Sequence, residues 1–353
     1  MDFQLSDDQR ALRSGMRDLL GAVFDRDRLR AAVERDGALD RSLWRELGAA
    51  GFFALRLPEE AGGVGLGLPE AVLLFEEAGR ALLPGPLVAT HLAAGLVKGA
   101  AEGEAVVTAV AGELPVAHLA EADAVLVVGA EPLAGEALRA FAAAARPVRS
   151  MDPLTPLHCA PADAERPPAA SVRTRADAER APVATERTPA HAGRLRFEAA
   201  LLTAAEQLGS AARTTEAAVQ HAGRREQFGS PVGAFQAVKH LCADMLARTE
   251  PARAAVYAAA VTGDPVEIAA AKLLADEAAV RNARDCLQIH GGMGFTWEAD
   301  VHLHLKRAWL RAASWLTGAG AEELLAADLG AAGRLPRSSA APARPVPEAG
   351  GGG

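Results

Sequence analysis

A mainly α-helical protein with a small β insert is the fold class this sequence predicts. Three observations predict it. Alanine dominates the apolar residues, and alanine has the highest helix propensity of any residue. Aromatic residues make up only 4% of the chain, too few for a protein built on aromatic-rich strands. The short β-branched runs are confined to residues 104–150, with helical periodicity before and after them.

The 353 residues suffice for two or three domains with a real core. A net charge of −8 favours solubility and argues against nucleic-acid binding as a bulk property. The three cysteines, Cys159, Cys242 and Cys286, form no C-x-x-C pair and are odd in number, which argues against a disulfide framework or a zinc site. The histidines do not suggest a metal either; His302 and His304, two residues apart, fall on different helix faces. The N-terminus is charged and amphipathic from its first residues, unlike a signal peptide. No apolar run is long enough to cross a bilayer. A cytoplasmic location with no membrane partner is the expectation.

Residues 1–100 read as a helical domain. Ser6, followed by Asp7 and Asp8, is an N-cap with acid in the first turn. Leu12, Met16, Leu19 and Leu20 then recur at helical spacing. Ser42 opens a second helix with Leu43, Leu47 and Ala50 on one face, and Gly51 ends it. Leu57 to Gly65 is a loop of turn residues. Pro69 suits the first turn of a helix that runs to Arg80. Pro84, Gly85 and Pro86 break it, and another helix follows toward Lys98.

Residues 101–193 form a reduced middle β domain and linker. Ala105–Val110 and Ala124–Val128 read as strands. Residues 160–192 are rich in Pro, Ala, Arg, Asp and Glu with little apolar periodicity, the composition of a linker or a weak strand region.

Residues 194–330 return to helices and read as a four-helix bundle domain. Leu201, Leu202, Ala205 and Leu208 belong to a long helix ending near Gly223. Phe235 to Glu250 is amphipathic, with Phe235, Val238, Leu241 and Met245 on one side. Asp264-Pro265 starts a helix to Ile289, and a last one covers Asp300 to Trp315. The tail, 331–353, is expected to be disordered.

Two segments at breaks in these helices carry chemistry. RREQFGSPVGAFQ (224–236) offers a guanidinium for phosphate at Arg225, an aromatic face at Phe228 and amides at Gln227 and Gln236. A dinucleotide needs that assortment, although a helix–helix connector with exposed arginines could read the same. LQIHGGMGFTWE (287–298) places Gly291 and Gly292 where backbone N–H groups could cradle an anion, with Gln288 one turn earlier. A plain helix C-cap also ends in glycine.

Together, in this order and on long helices, R-x-x-F-G-x-x-x-x-x-F-Q and Q-x-x-G-G-x-G-F resemble the C-terminal domain of acyl-CoA dehydrogenases. The start is similar too, in Phe3-x-Leu5-x-x-x-Gln9-x-x-Leu12-Arg13, Leu43-Trp44-x-x-Leu47-x-x-x-Gly51 and Pro58-Glu59-x-x-Gly62-Gly63. The resemblance covers residues 1–95 and 194–315. It implies FAD as cofactor, an acyl-CoA substrate and α,β-dehydrogenation of the thioester. In that family FAD sits at a subunit interface. By position, Arg225, Gln227, Phe228, Gln236, Gln288, Gly291 and Gly292 would contact a flavin held mainly by the neighbouring subunit.

The chain departs from the family pattern in two places. Many members carry the catalytic base in an E-G-T-like segment after G-G-x-G-F; here Arg311 to Gly318 has no carboxylate, and Glu322 and Glu323 come later as solvated helix residues. Others carry it at a position that falls here on Ala199, with Glu198 beside it, turned by about 100° on a helix. The catalytic residue is therefore unassigned, with Glu198 a weak candidate. Nothing like the family's T-E-P-x-A-G-S-D loop appears between Lys98 and Arg194. This combination resembles the reduced subunits of heteromeric α2β2 acyl-CoA dehydrogenases of actinobacteria. The implied partner is a full-length acyl-CoA dehydrogenase subunit. The alternatives are a self-sufficient homo-oligomer with an unusual base and a non-catalytic scaffold.

Overall fold

The computed structural model describes residues 4–110, 115–160 and 189–332. Phe3, residues 161–188 of the Pro- and Arg-containing stretch and residues 333–353 of the tail lie outside the described residues.

Helix α1 (Asp7–Val23) starts where expected. Ser6 Oγ accepts from the Gln9 N–H and Gln9 Oε1 accepts from the Ser6 N–H, both at 3.1 Å, a complete capping box. Met16 and Leu20 form its buried face. Helix α2 (Arg26–Glu34), capped by Asp25, follows at once. Helix α3 (Arg41–Ala49) is capped by Asp40 and not by Ser42. The Asp40 carboxylate accepts from Ser42 N at 2.9 Å and Leu43 N at 3.4 Å. A carboxylate just outside the helix also favours the positive end of its dipole, which a serine does not. Leu43, Trp44 and Leu47 are buried, while Ala50 is exposed and Gly51 turns at φ +77°.

Helix α4 (Leu68–Arg80) carries Pro69 in its first turn and is buried from Ala71 to Gly79. Its two buried acids are paired. Arg17 donates to Glu77 at 2.8 and 2.6 Å, and Tyr257 donates to Glu76 at 2.6 Å beside Arg253. Such pairing is what makes a buried carboxylate tolerable. Helix α5 (Leu87–Ala93) stops well short of Lys98.

The insert holds the two expected strands, β1 (Val107–Val110) and, beyond β2 (Val116–Ala117), β3 (Ala124–Val127), paired in parallel from Val107↔Ala124 to Val110↔Val127. β4 (Leu133–Ala134) adds antiparallel to β3. A helix, α6 (Gly135–Ala144), joins the strands expected there. β5 (Arg146–Val148) and β6 (Leu157–Cys159) complete a second small sheet in the order β2-β6-β5.

Helix α7 (Pro189–Arg224) is 36 residues long and begins before the expected Arg194. A two-stranded hairpin, β7 (Glu226–Gln227) and β8 (Ser230–Pro231), separates it from α8 (Gln236–Thr262). Helix α8 runs through Pro251, where the sequence reading stops at Glu250. Proline removes the bond to the carbonyl four residues back, that of Ala247. Both residues are exposed, so water can satisfy that carbonyl while Thr249, Ala252 and Val256 keep the buried face continuous. Helices α9 (Pro265–His290), capped by Asp264, α10 (Val301–Ala313) and α11 (Gly318–Ala332) complete the described residues.

The bundle and the N-terminal helices share one core, in which Met16, Trp44 and Phe75 belong to the same cluster as Leu201, Leu208, Ala275 and Leu303. Glycines let α4 and α7 cross closely: a Cβ at Gly79 would lie 2.0 Å from Glu206 O, and one at Gly209 would lie 1.8 Å from Glu76 O. No helix among the described residues is long and apolar enough to cross a membrane.

Candidate functional site

The first motif forms an exposed hairpin at the end of α7. Arg225 N donates to His221 O at 2.8 Å, and Arg225 O accepts from Val232 N at 2.7 Å, which pins the strand entrance. Phe228 at φ +54° and Gly229 at φ +77° occupy the two turn positions. Two successive left-handed residues make a type I′ turn, which matches the twist of the flanking strands. Glycine suits that turn; phenylalanine is strained in it and is also 94% exposed. Its ring meets Phe235 edge-on, at 6.2 Å between centroids. The Arg225 side chain is exposed and makes no hydrogen bond or ion pair among the described residues. Gln227 donates to the Glu226 carbonyl at 2.8 Å, and Gln236, the first residue of α8, donates to His240 Nε2 at 2.9 Å; both are exposed.

The second motif ends α9 at the same end of the bundle. The His221 and His290 rings stack at 4.1 Å, joining the last turns of α7 and α9. Burial, the neighbouring His290 and the Arg225 charge all hold the His221 pKa below the usual histidine range. A small core of Ala218, Met245, Cys286, Leu287 and Leu305 lies under both motifs. Gln288 is exposed. Gly291, at φ 60° and ψ −142°, ends the helix and donates its N–H to Gln288 O, so that group is not available to cradle an anion as expected from sequence. This conformation is open essentially to glycine alone. A Cβ would meet nothing within 4 Å at either glycine, but Gly292 differs in having no positive φ. Neither packing nor backbone strain in this chain demands a glycine at 292. Met293, Phe295 and Trp297 continue the exposed apolar surface. Between the motifs and α2 lies a cavity of about 460 Å³, lined by Arg26, Arg213, His221, His290, Met293 and His304 among others.

The candidate bases are otherwise engaged. Glu198 accepts from Arg56 and from Arg194, each at 2.8 Å. Burial pushes its pKa up, but these arginines outweigh it and hold the carboxyl below the usual range, the opposite of what a general base near neutrality needs. Glu322 and Glu323 are exposed on α11, and Ala199 is fully buried.

The structure adds a carboxylate that sequence reading passes over. Glu206 lies on the buried face of α7, two turns beyond Ala199, and bonds Arg311 at 2.8 Å. Burial raises its pKa despite Arg311 and Arg307. The available signal is an acid set among Leu201, Leu202, Ala205 and Leu208, positions that all face the core. Glu206 lines a cavity between α5, β1, α7 and α10, at the place where Ser314 and Trp315 of the altered E-G-T-like segment also come. That cavity measures about 150 Å³. Sites for drug-sized ligands span roughly 300–1,000 Å³. Arg311 with Glu206 and Arg307 with Asp152 occupy the space. A flavin ring with an acyl chain does not fit there. Among the described residues no group of three or more His, Cys, Asp or Glu is arranged to hold a metal.

Comparison with known proteins places this geometry. The sequence pattern of "Acyl-CoA dehydrogenase, N-terminal domain" matches residues 6–102, and that of "Acyl-CoA dehydrogenase, C-terminal domain" matches residues 193–333. The chain is similar to Acyl-CoA dehydrogenase IpdE2 of Mycobacterium tuberculosis, 36% identical over 295 residues, which cover 79% of this chain and 84% of that protein. Two solved structures share the fold. One, PigA with FAD and proline, has a TM-score of 0.76 at 19% identity, over 94% of this chain and 99% of that one. The other, the ChsE4-ChsE5 complex from Mycobacterium tuberculosis, has a TM-score of 0.72 at 23% identity, over 94% and 99%.

Proposed function

The chain belongs to the acyl-CoA dehydrogenase family, and from that premise we propose that it is a subunit of an FAD-dependent acyl-CoA dehydrogenase that completes a partner subunit's FAD site across their interface. One observation carries the reading: a guanidinium unpaired among the described residues and a strained, solvent-exposed phenylalanine stand together on an exposed hairpin.

The residues fit the adenosine-pyrophosphate half of FAD. Arg225 supplies bidentate positive charge for the pyrophosphate, and Phe228 supplies a flat face for the adenine. Gln227, Gln236 and Gln288 supply amide donors and acceptors that the chain leaves at the surface. Gly292 keeps the backbone approachable, and Gly291 ends α9 so that the chain can bend away. When bound, FAD supplies hydride acceptance from the acyl β-carbon as a base removes the α-proton. This chain's own cleft is closed by the Arg311–Glu206 and Arg307–Asp152 pairs, so no step is assigned to it. The base and the acyl-CoA slot then belong to a full-length partner. The likeness to a two-component complex supports such an assembly. The three-part organisation at 1–100, 101–193 and 194–330 and a cytoplasmic location are part of the same proposal.

The test is the visible absorbance of the purified chain, alone and co-purified with a full-length acyl-CoA dehydrogenase. Colourless protein alone, with one FAD per pair in the complex, is the expected result. Yellow protein alone with stoichiometric FAD and acyl-CoA turnover would refute it and favour a self-sufficient homo-oligomer. An Arg225→Ala variant with no effect on the complex's flavin content would leave only a scaffold role.

A further inference from the structure

The small cavity between the insert and the bundle has the makings of a second site. Three side chains that line it are almost wholly buried: His118 is 1%, Arg307 4% and Arg311 6% exposed. Each has a buried nitrogen with no hydrogen-bond partner among the described residues, namely His118 Nε2, Arg307 Nη2 and Arg311 Nη1. Leaving a buried polar atom without a partner is costly, and more so where the group is charged. Three around one cavity call for an occupant that would satisfy them. The groups also sense one another: burial lowers the pKa of His118 and Arg311, and the Arg307 charge lowers each further. His118 moreover sits in the left-handed region at φ +53°, a strained backbone for a non-glycine residue.

The tautomer of His118 narrows the occupant. Its Nδ1 faces Glu121 Oε2 at 3.4 Å. A carboxylate only accepts, so Nδ1 carries the proton of the neutral ring and Nε2 is an acceptor. The occupant must accept from two guanidinium groups and donate to an imidazole nitrogen. The carboxylates Asp152 and Glu206 are each bonded to one of the arginines, and Arg307 Nη2 and Arg311 Nη1 stay without partners among the described residues, on side chains that line the cavity. Thr203 and Ser314 add hydroxyls to the lining.

We propose that this cavity binds a small protonated oxyanion of the chemistry of hydrogen phosphate, with Arg307 and Arg311 donating to its oxygens and its own hydroxyl donating to His118. None of the seven residues assigned to the flavin lines this cavity, so the site stands or falls apart from that reading.

The experiment is calorimetric titration of the full chain with inorganic phosphate near pH 7, at constant ionic strength. Sulfate, which carries no proton there, and glycerol 3-phosphate, a monoester, are titrated in parallel. One saturable phosphate site per chain is expected, with sulfate at least roughly tenfold weaker for want of the hydrogen bond to His118. Glycerol 3-phosphate, whose second ionisation at about pH 6 leaves most of it without a phosphate hydroxyl at about pH 7, should bind as weakly as sulfate; equal binding of the monoester would refute the hydrogen bond to His118. Ala109→Leu fills the cavity from its β1 wall without removing a charge, and should weaken phosphate at least roughly tenfold while circular dichroism stays native. His118→Phe should remove the preference for phosphate over sulfate. Absence of saturable binding to the unaltered chain overturns the proposal, as does equal affinity for sulfate, or full binding by folded Ala109→Leu, which would place the ion elsewhere. Cavity water alone would give the first of these results.

Discussion

Phe228→Asn should change two properties in opposite directions. In the free chain the phenylalanine adopts φ +54° in the first position of a two-residue turn, with Gly229 at φ +77° in the second. A left-handed non-glycine residue costs roughly 1–2 kcal/mol, and asparagine tolerates that region far better. The ring is 94% exposed, so little packing is lost. The variant, with an Asn-Gly type I′ turn, should therefore be more stable by about 0.5–1 kcal/mol. Association should move the other way. Burying a phenylalanine side chain contributes roughly 2–3 kcal/mol, which is about 30- to 150-fold in affinity. Guanidinium unfolding of the lone chain reads the first effect, and sedimentation of chain and partner reads the second. Unchanged affinity for the partner would show that the strained phenylalanine is not held for docking. Lower stability of the free chain would show that the turn geometry is wrong.

Three further predictions follow from the same structure. Gly292→Ala should leave the stability of the lone chain within about 0.5 kcal/mol, since its Cβ meets nothing, yet lower the flavin retained by the assembled enzyme; equal flavin content would free that position from any role in the interface. Gly209→Ala would drive a Cβ to 1.8 Å from the Glu76 carbonyl and should destabilise the chain by roughly 3 kcal/mol or more, measured by denaturant midpoint; a loss under about 1 kcal/mol would contradict the close crossing of α4 and α7. His304 and His91 are held neutral, chiefly by burial, with pKa values lowered to about 3 and about 4. Unfolded, each binds a proton near pH 6.5, so below that pH the unfolded state holds more protons and stability falls as pH falls, by up to about 1.4 kcal/mol per pH unit for each histidine. The loss stops at the folded pKa of each, and His304→Gln should flatten the slope in equilibrium unfolding followed from pH 7 to 4.

Much of the architecture was legible because it is written at short range. The Ser6 capping box with Gln9, Pro69 in the first turn of α4, Asp264 before Pro265 and the stripe of Leu201 and Leu208 all act within one or two helical turns. Where the reading missed, two local rules competed. Ser42 and Asp40 both suit an N-cap, and the carboxylate prevailed because it reaches two backbone N–H groups and carries charge toward the dipole. Pro251 stops an isolated helix, yet α8 continues because it is packed on both sides of that residue, Met245 in the small core under the two motifs and Ala252 and Val256 in the main core.

The mainly helical class, the order of the elements and the two motifs that mark the family are all legible in the order of the residues. These follow from periodicity and capping, which neighbouring residues impose on one another. Only the tertiary structure decided that both motifs meet at one end of the bundle through the His221–His290 stack. It alone decided that the side chains of Arg225 and Phe228 stand exposed on the hairpin. It also closed the inner cleft, by setting Glu206 against Arg311, 105 residues away along the chain. Such pairings depend on how helices cross and which face each turns inward, and at Gly79 and Gly209 the crossing is set by contacts between segments far apart in sequence.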